Sequence, residues 1–395
     1  MLASDDRMLT THAGSLPRPP ALEELLIRRE QGAAIDQGAF AQAVADGIDW
    51  VVAKQLESGV DIGSDGEESR VGFQTYVPQR MSGFGGESRR KMLTDMVKFP
   101  GYAAMFTERT WSRDRERPKV WNAPQAQTAV RYEPDLADVS FELAQFGASL
   151  ERSDGGFAET FVTAASPGIV STTMLRADDN PDYPRDEDYV MALGHELKKE
   201  YDAIVGAGHL LQIDAPDLAM ERQFMFQDRP LDEFLERVAL HIRALNVAVA
   251  DIPAEKVRLH VCFGNWDGPH IDDCDLAPLL PPIYEARVGA LSIACANPRH
   301  QHEWKAIKAN PPPQPMILIP GVIDVTTNYL EHPEVVADRI CLYAEVMGDA
   351  RRVIAGTDCG FSTFASYQFV ADDVVWAKLR MLADGAALAT RRLWG

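Results

Sequence analysis

Three residues carry the sharpest chemistry in this chain: His260, Cys262 and Cys359. Along VRLHVCF, from Val257, strand alternation sets Val257, Leu259, Val261 and Phe263 on one face. Arg258, His260 and Cys262 share the other. An i, i+2 pair of His and Cys on one strand face can chelate a single ion. Zinc takes His nitrogen at about 2.0–2.1 Å and Cys sulfur at about 2.3 Å. Cys359, near the end of the run RVIAGTDCG, offers a second thiolate. The competing reading makes these cysteines small buried hydrophobes, and H-x-C alone does not separate the two. A second thiol at another run's end brings the metal reading level with the buried-hydrophobe one.

The carboxylates also admit two readings. Asp65, Glu67 and Glu68, in DGEE, have the composition of an exposed acidic turn. Asp214 shares a face with Gln212, opposite Leu211 and Ile213, so it should point inward. An inward carboxylate is costly unless paired, which suits a grip on a cationic ligand group. Further polar residues end the same kind of run: His12, Ser15, Asp217, Asp324 and Asp358. His270, in GNWDGPH, and His300 and His302, in NPRHQHEW, either line a mouth or hydrogen-bond loop carbonyls at its rim. Trp266, Phe361 and Tyr76 are candidate pocket walls.

Something must hold these residues together. Eight short runs are rich in β-branched and apolar residues and end in small or polar ones. They are LTTHAGS from Leu9, VDIGSDGE from Val60, FVTAASP from Phe161, LLQIDAP from Leu210, VRLHVCFGN from Val257, ALSIACANP from Ala290, MILIPGVID from Met316 and RVIAGTDCG from Arg352. Segments with helical periodicity separate most of them, such as LDEFLERVALHIRALNVAVADI and PEVVADRICLYAEVMG. The latter starts at Pro333, a good first-turn residue, and stops at Gly348, a good cap. Eight strands alternating with helices predict an α/β fold, a (β/α)8 TIM barrel, as a single domain over 1–395. The gap between the second and third strands is too long for one crossover. It predicts an insertion over about 68–156, in which TYVPQRMSGFGG and NAPQAQTAVRYEP read as loops or a β-hairpin over one barrel face. A doubly wound open sheet is the runner-up, but no G-x-G-x-x-G or G-x-x-x-x-G-K-[ST] follows the first run.

Composition narrows the function. The chain has 395 residues and a formal charge of −20, a surface that repels nucleic acid and anionic membranes. A hydrophobic fraction of 46% excludes wholesale disorder. The N-terminal MLASDDRMLTTHAG lacks the apolar core of a secretion signal, and no apolar stretch is long enough to span a bilayer. Five cysteines without any C-x-x-C predict reduced thiols and a cytoplasmic protein. A homodimer is the expectation for such an enzyme.

Several segments together resemble a known family. TTHAGSLPRP, DIGSDGEESR, LLQIDAPDLA, LHVCFGNWDGPH, ANPRHQHEW, GVIDVTTNYLEHPEVVADRI and AGTDCGFSTF look like the catalytic barrel of cobalamin-independent methionine synthase. The likeness is closer to the short single-barrel branch, in the superfamily shared with uroporphyrinogen decarboxylase. It runs in order from about Thr10 to the C-terminus. The resemblance implies a zinc-dependent methyl- or alkyltransferase that activates a small thiol as a zinc-bound thiolate, with an alkyl or methyl donor as second partner. It implies that Zn2+ is held by His260, Cys262 and Cys359, and that the thiol amino acid is held by Gly14, Ser15, Glu67 and Asp214. The alternatives are a carbon–sulfur lyase or an epoxide–thiol transferase on the same barrel, or a metal-free decarboxylase-like or binding protein.

Three departures from the family pattern matter. Where relatives place a fourth ligand, a glutamate, this chain has Ala294. Where the full-length synthase has a histidine credited with protonating the leaving group, it has Thr326. The tryptophan expected to stack on a pterin is missing from SPGIVSTTM. Methyltetrahydrofolate is therefore a poor expectation as donor. In ALSIACA, alternation points Cys295 outward, so three protein ligands are expected, with water or thiol in the fourth position. The rival is a bulge that swings Cys295 inward. An anionic thiol would need cations in place of the carboxylates, and Arg18, Arg70 and Arg258 are the nearest in sequence.

Overall fold

Seven of the eight runs that read as strands contain a strand. The computed structural model describes residues 1–110, 123–153 and 156–395. In chain order its strands are β1 (Ile62–Gly63), β2 (Met81–Gly85), β3 (Gln125–Tyr132), β4 (Glu159–Ala165), β5 (Leu210–Asp214), β6 (Val257–Val261), β7 (Ala290–Ile293), β8 (Ile317–Ile323) and β9 (Gly356–Thr357). Seven of them make one sheet in the order β1-β4-β5-β6-β7-β8-β9, with every neighbouring pair parallel. The first run, from Leu9, forms no named strand. Its Thr10 instead bridges Ala355, just before β9, and its Thr11 bridges Ile62 in β1, both in parallel. Adjacent residues thus touch both edges of the sheet, so the sheet curls.

Register aligns the site. Ala165 lies opposite Asp214, Asp214 opposite His260, and His260 opposite Ser292. Because side chains alternate with period two, these residues share one layer on the concave side. The layer beneath holds Thr163, Gln212, Arg258 and Ala290.

Helices pack outside. Gln37–Ser58 starts at Asp36, whose carboxylate accepts from the Ala39 N–H at 2.8 Å, and stops at Gly59 in the left-handed region. Pro333–Met347 begins and ends where the sequence predicts, with Gly348 at φ 66°.

Between β1 and β4 the chain makes an excursion. β2 and β3 pair antiparallel as a hairpin. The expected loop NAPQAQTAVRYEP begins at Asn122, which lies outside the described residues; its later part includes β3. Buried charges tie the hairpin to the sheet. Arg80 pairs with Glu142 at 2.6 Å and with Glu200 at 2.9 Å, while Arg70 pairs with Glu142 and donates to Thr163 Oγ1 at 3.0 Å. Tyr76 and Tyr132 each donate to Glu200 at 2.8 Å. Such a buried network holds only when its members are mutually satisfied. The same excursion carries Thr94–Lys98 and Pro100–Thr110, short helices that lie over the site.

Candidate metal and thiol site

His260 and Cys262 reach the concave side from the C-terminal end of β6, as alternation predicts. Cys359 arrives from the loop after β9. One donor atom from each residue lies within 4.8 Å of the others. The Cys359 thiol donates to Cys262 Sγ at 3.8 Å. His260 Nδ1 lies 3.2 Å from Ser292 Oγ, and its Nε2 is buried with no hydrogen bond among the described residues.

The electrostatics suit a thiolate. The thiol of Cys359 lowers the Cys262 pKa well below its ordinary value, and His260 helps. The same contact pushes Cys359 up. Burial opposes charge on His260, but neighbouring Cys262 outweighs it and the imidazole pKa rises. One negative charge is therefore easy to create between the two sulfurs.

Two carboxylates face the same space. Ser15, Glu67, Asp214, His260, Cys262 and Cys359 all line one cavity of about 110 Å³. Asp214 Oδ1 accepts from Gln212 Nε2 at 2.9 Å, and that amide also reaches the Ala13 carbonyl at 3.0 Å. Burial pushes the Asp214 carboxyl up to about 7; His260 opposes the rise and Glu67 adds to it. Glu67 Oε1 accepts from Thr163 Oγ1 at 2.9 Å, whereas Oε2 is buried without a hydrogen-bond partner among the described residues. Burial raises the Glu67 carboxyl too, against Arg70, Arg18 and Thr163.

Here the acidic-turn reading is corrected. Asp65, Glu67 and Glu68 are each at most 1% exposed. The turn folds inward because Ser64, Asp65 and Arg18 satisfy its backbone. Ser64 Oγ accepts from the Gly66 N–H and Asp65 Oδ1 from the Glu67 N–H, while Arg18 donates to the Glu67 carbonyl at 3.0 Å. Glu67 sits at φ 62°, a left-handed conformation uncommon outside glycine. Gly14 fits tightly beside it, because a Cβ there would lie 2.7 Å from Glu67 Oε1. Gly14 does not itself line the cavity. The Ser15 carbonyl accepts from the Phe361 N–H at 2.8 Å, which seats the Gly14–Ser15 loop against the Cys359 loop.

Cys295 stays outside the donor cluster. It is buried, contacts Tyr343, and its thiol is pushed up by burial. Asp358 explains the conformation of that loop. Its Oδ1 accepts from the N–H groups of Cys295 and Ala296 at 2.7 and 2.6 Å, and its Oδ2 from that of Asn297 at 2.8 Å.

Other expected residues divide. Trp266 lines the cavity; Phe361 and Tyr76 are buried elsewhere. His270 and His300 share Asp273 Oδ2 at 2.9 and 2.7 Å, which makes them braces of the loop after β6. His302 is exposed. The three arginines are committed: Arg18 to the Ser362 and Glu67 carbonyls, Arg70 to Glu142, and Arg258 to Thr11 Oγ1 and the His12 carbonyl. Gln74, Asn265 and the aromatic residues Phe73, Phe106, Phe224, Phe364 and Tyr367 also line the cavity, and no local pattern in the sequence marks them.

No family model matches the chain. It is 24% identical over 387 residues to a methionine synthase of Saccharolobus solfataricus, covering 97% of this chain and 95% of that protein. It is 22% identical over 411 residues to the 2-hydroxypropyl-CoM lyase of Xanthobacter autotrophicus, with the same two coverages of 97% and 95%. Its fold matches a B12-independent methionine synthase from Shewanella sp. W3-18-1, solved with selenomethionine, at a TM-score of 0.69 and 19% identity. That match covers 98% of this chain and 99% of the other.

Proposed function

We propose that this chain, a member of the cobalamin-independent methionine synthase-like family, uses zinc to transfer a methyl or alkyl group to the sulfur of a small, amine-bearing thiol. One observation carries the reading: Cys262 and Cys359 hold their sulfurs 3.8 Å apart beside a buried His260 Nε2 that has no hydrogen-bond partner among the described residues. Two Zn–S bonds of about 2.3 Å at a tetrahedral angle require a sulfur separation of about 3.8 Å. A disulfide would require about 2.05 Å. His260, Cys262 and Cys359 would hold the ion, and Ser292 would fix the imidazole's orientation. Bound there, zinc supplies the positive charge that lets a thiol lose its proton near neutral pH.

The remaining residues do the rest. With Ala294 in the glutamate's place and Cys295 against Tyr343, the chain offers three donors and leaves room for substrate sulfur. Glu67 and Asp214 take the amine. Glu67 Oε2 is an acceptor with no donor, and an ammonium group would provide one. The same cation would favour ionisation of Asp214, whose pKa burial has raised. The helices Thr94–Lys98 and Pro100–Thr110 keep water from the sulfur, with Leu93, Met96 and Phe106 turned into the cavity. Selenomethionine in the Shewanella structure is a methylated amino acid of the kind this reaction would make.

Epoxide–thiol transfer to a sulfonate thiol fits less well. It needs a cation near the sulfur, and Arg18, Arg70 and Arg258 are all engaged in the fold. We read the architecture as a (β/α)8 barrel over 1–395 with 68–156 inserted, Thr10–Thr11 standing as the strand between β9 and β1.

Zinc content and thioether formation test the reading together. The purified protein should carry one zinc and alkylate homocysteine when given methyl iodide. Stoichiometric zinc in a Cys262→Ser/Cys359→Ser double variant would refute the ligand assignment.

A further inference from the structure

The floor and roof of the cavity differ in chemistry. The floor carries the sulfurs and carboxylates. The roof is built from Phe73, Phe106, Phe224, Trp266, Phe364 and Tyr367. Two ring pairs meet nearly at right angles. Phe364 and Tyr367 cross at 79° with centroids 5.7 Å apart, and Phe224 and Trp266 at 85° and 6.1 Å. Buried acceptor atoms of the lining residues Glu67, Gln74 and Asn265 have no hydrogen-bond partner among the described residues. Arg90 is the one cationic side chain among the described lining residues. It is already paired with Glu221 and lies 4.8 Å over the Phe224 ring. The space is thus bounded by aromatic rings and unpartnered oxygens, with no uncompensated positive charge.

That environment constrains the electrophile. A donor whose leaving group departs as an anion needs a proton or a cation to receive it. Among the described aromatic roof residues only Tyr367 bears an ionisable O–H, and it donates to the Asn265 carbonyl at 3.4 Å; the carboxyls of Asp214 and Glu67 lie on the floor, where the substrate ammonium proposed above would hold them ionised. Arg90 is occupied. A positively charged donor needs neither. Aromatic faces attract cations, most strongly where water is excluded.

We propose that the donor used by this site is an onium compound, a methylated sulfonium or quaternary ammonium, held by the aromatic roof above the thiol. The proposal rests on the thiol-transfer reading above. In the step, the substrate thiolate supplies the electron pair for a new carbon–sulfur bond. The bond from that methyl carbon to S⁺ or N⁺ breaks, and its electron pair stays on the leaving atom. One negative and one positive charge disappear, a thioether forms, and a neutral sulfide or tertiary amine leaves without needing a proton.

Choline and 3,3-dimethylbutan-1-ol have nearly the same shape and differ in charge. Calorimetry on the unaltered protein should find choline bound at least about tenfold tighter. Equal affinity, or tighter binding of the neutral alcohol, overturns the proposal. Trp266→Leu and Phe364→Leu should each reduce the preference for charge more than the affinity for the alcohol. The comparison on unaltered protein stands even if a variant misfolds. Incubation with homocysteine and either trimethylsulfonium or tetramethylammonium should give methionine, with release of dimethyl sulfide or trimethylamine showing which onium is used. Thioether from methyl iodide without any preference for choline sinks the onium proposal alone. Absence of both zinc and thioether sinks the thiol-transfer reading instead.

Discussion

The carboxylate of Asp358 holds the backbone N–H of Cys295 at 2.7 Å, across 63 residues of chain. Asp358 precedes the candidate ligand Cys359, and Cys295 follows Ala294, where the family resemblance leads one to expect a glutamate. The loop without a donor is thus anchored to the residue beside a donor.

Asp358→Asn should therefore loosen the metal site without removing a ligand. An amide offers one acceptor where the carboxylate serves three backbone N–H groups. Zinc affinity, read by competition with a chromogenic chelator, should fall by about 10–100-fold. Unchanged affinity would show that the anchor is purely structural.

Cobalt substitution counts the sulfurs. With Cys262 and Cys359 as thiolates, the sulfur-to-metal charge-transfer band should be the same in Cys295→Ala and should grow when a thiol substrate is added. A loss of roughly one-third of that intensity in Cys295→Ala would mean the thiol leaves Tyr343 and binds the metal.

Asp214→Asn separates the amine grip from the sulfur chemistry. The KM for homocysteine should rise by about tenfold or more, the scale of a lost charge-assisted hydrogen bond. For 4-mercaptobutyrate, which lacks the amine, KM should move little. Equal effects on both thiols would place Asp214 outside the amine grip.

Asp65 gives a pH prediction. Burial, helped by Glu142, pushes its carboxyl up to about 7 from an ordinary 3.8. The folded state therefore binds this proton more tightly than the unfolded state. The resulting stability is present below about pH 4 and is lost as pH rises through about 7. Asp65→Asn keeps the Oδ1 acceptor for the Glu67 N–H and replaces an oxygen that has no hydrogen-bond partner among the described residues. The variant should gain about 1–3 kcal/mol at pH 8 and much less at pH 4. Urea denaturation at the two pH values measures the difference, and a gain that is equal at both would be inconsistent with this origin.

Much of the site was legible because strand alternation is a strong local rule. It set His260 and Cys262 on one face of VRLHVCF, turned Asp214 inward and kept Cys295 away. The acidic turn was misread, because burial of Asp65, Glu67 and Glu68 depends on Arg18 and on backbone groups that only the folded chain assembles. Apart from Trp266, read as a pocket wall, the roof was illegible for a related reason. Phe106, Phe224, Trp266 and Phe364 come from four separate segments, and no local period links them. The first run, from Leu9, was legible as extended chain, yet its pairing rests on two isolated bridges.

The left-handed backbone at Glu67 bears on how this chain would respond to selection. A non-glycine residue there costs about 1–2 kcal/mol, and glycine would relieve it. A library randomised at position 67 and sorted for heat resistance alone should drift toward glycine. The same library sorted for thiol turnover should keep glutamate. Opposite winners from one position would mark Glu67 as a residue retained for what it binds, at the expense of the fold that holds it.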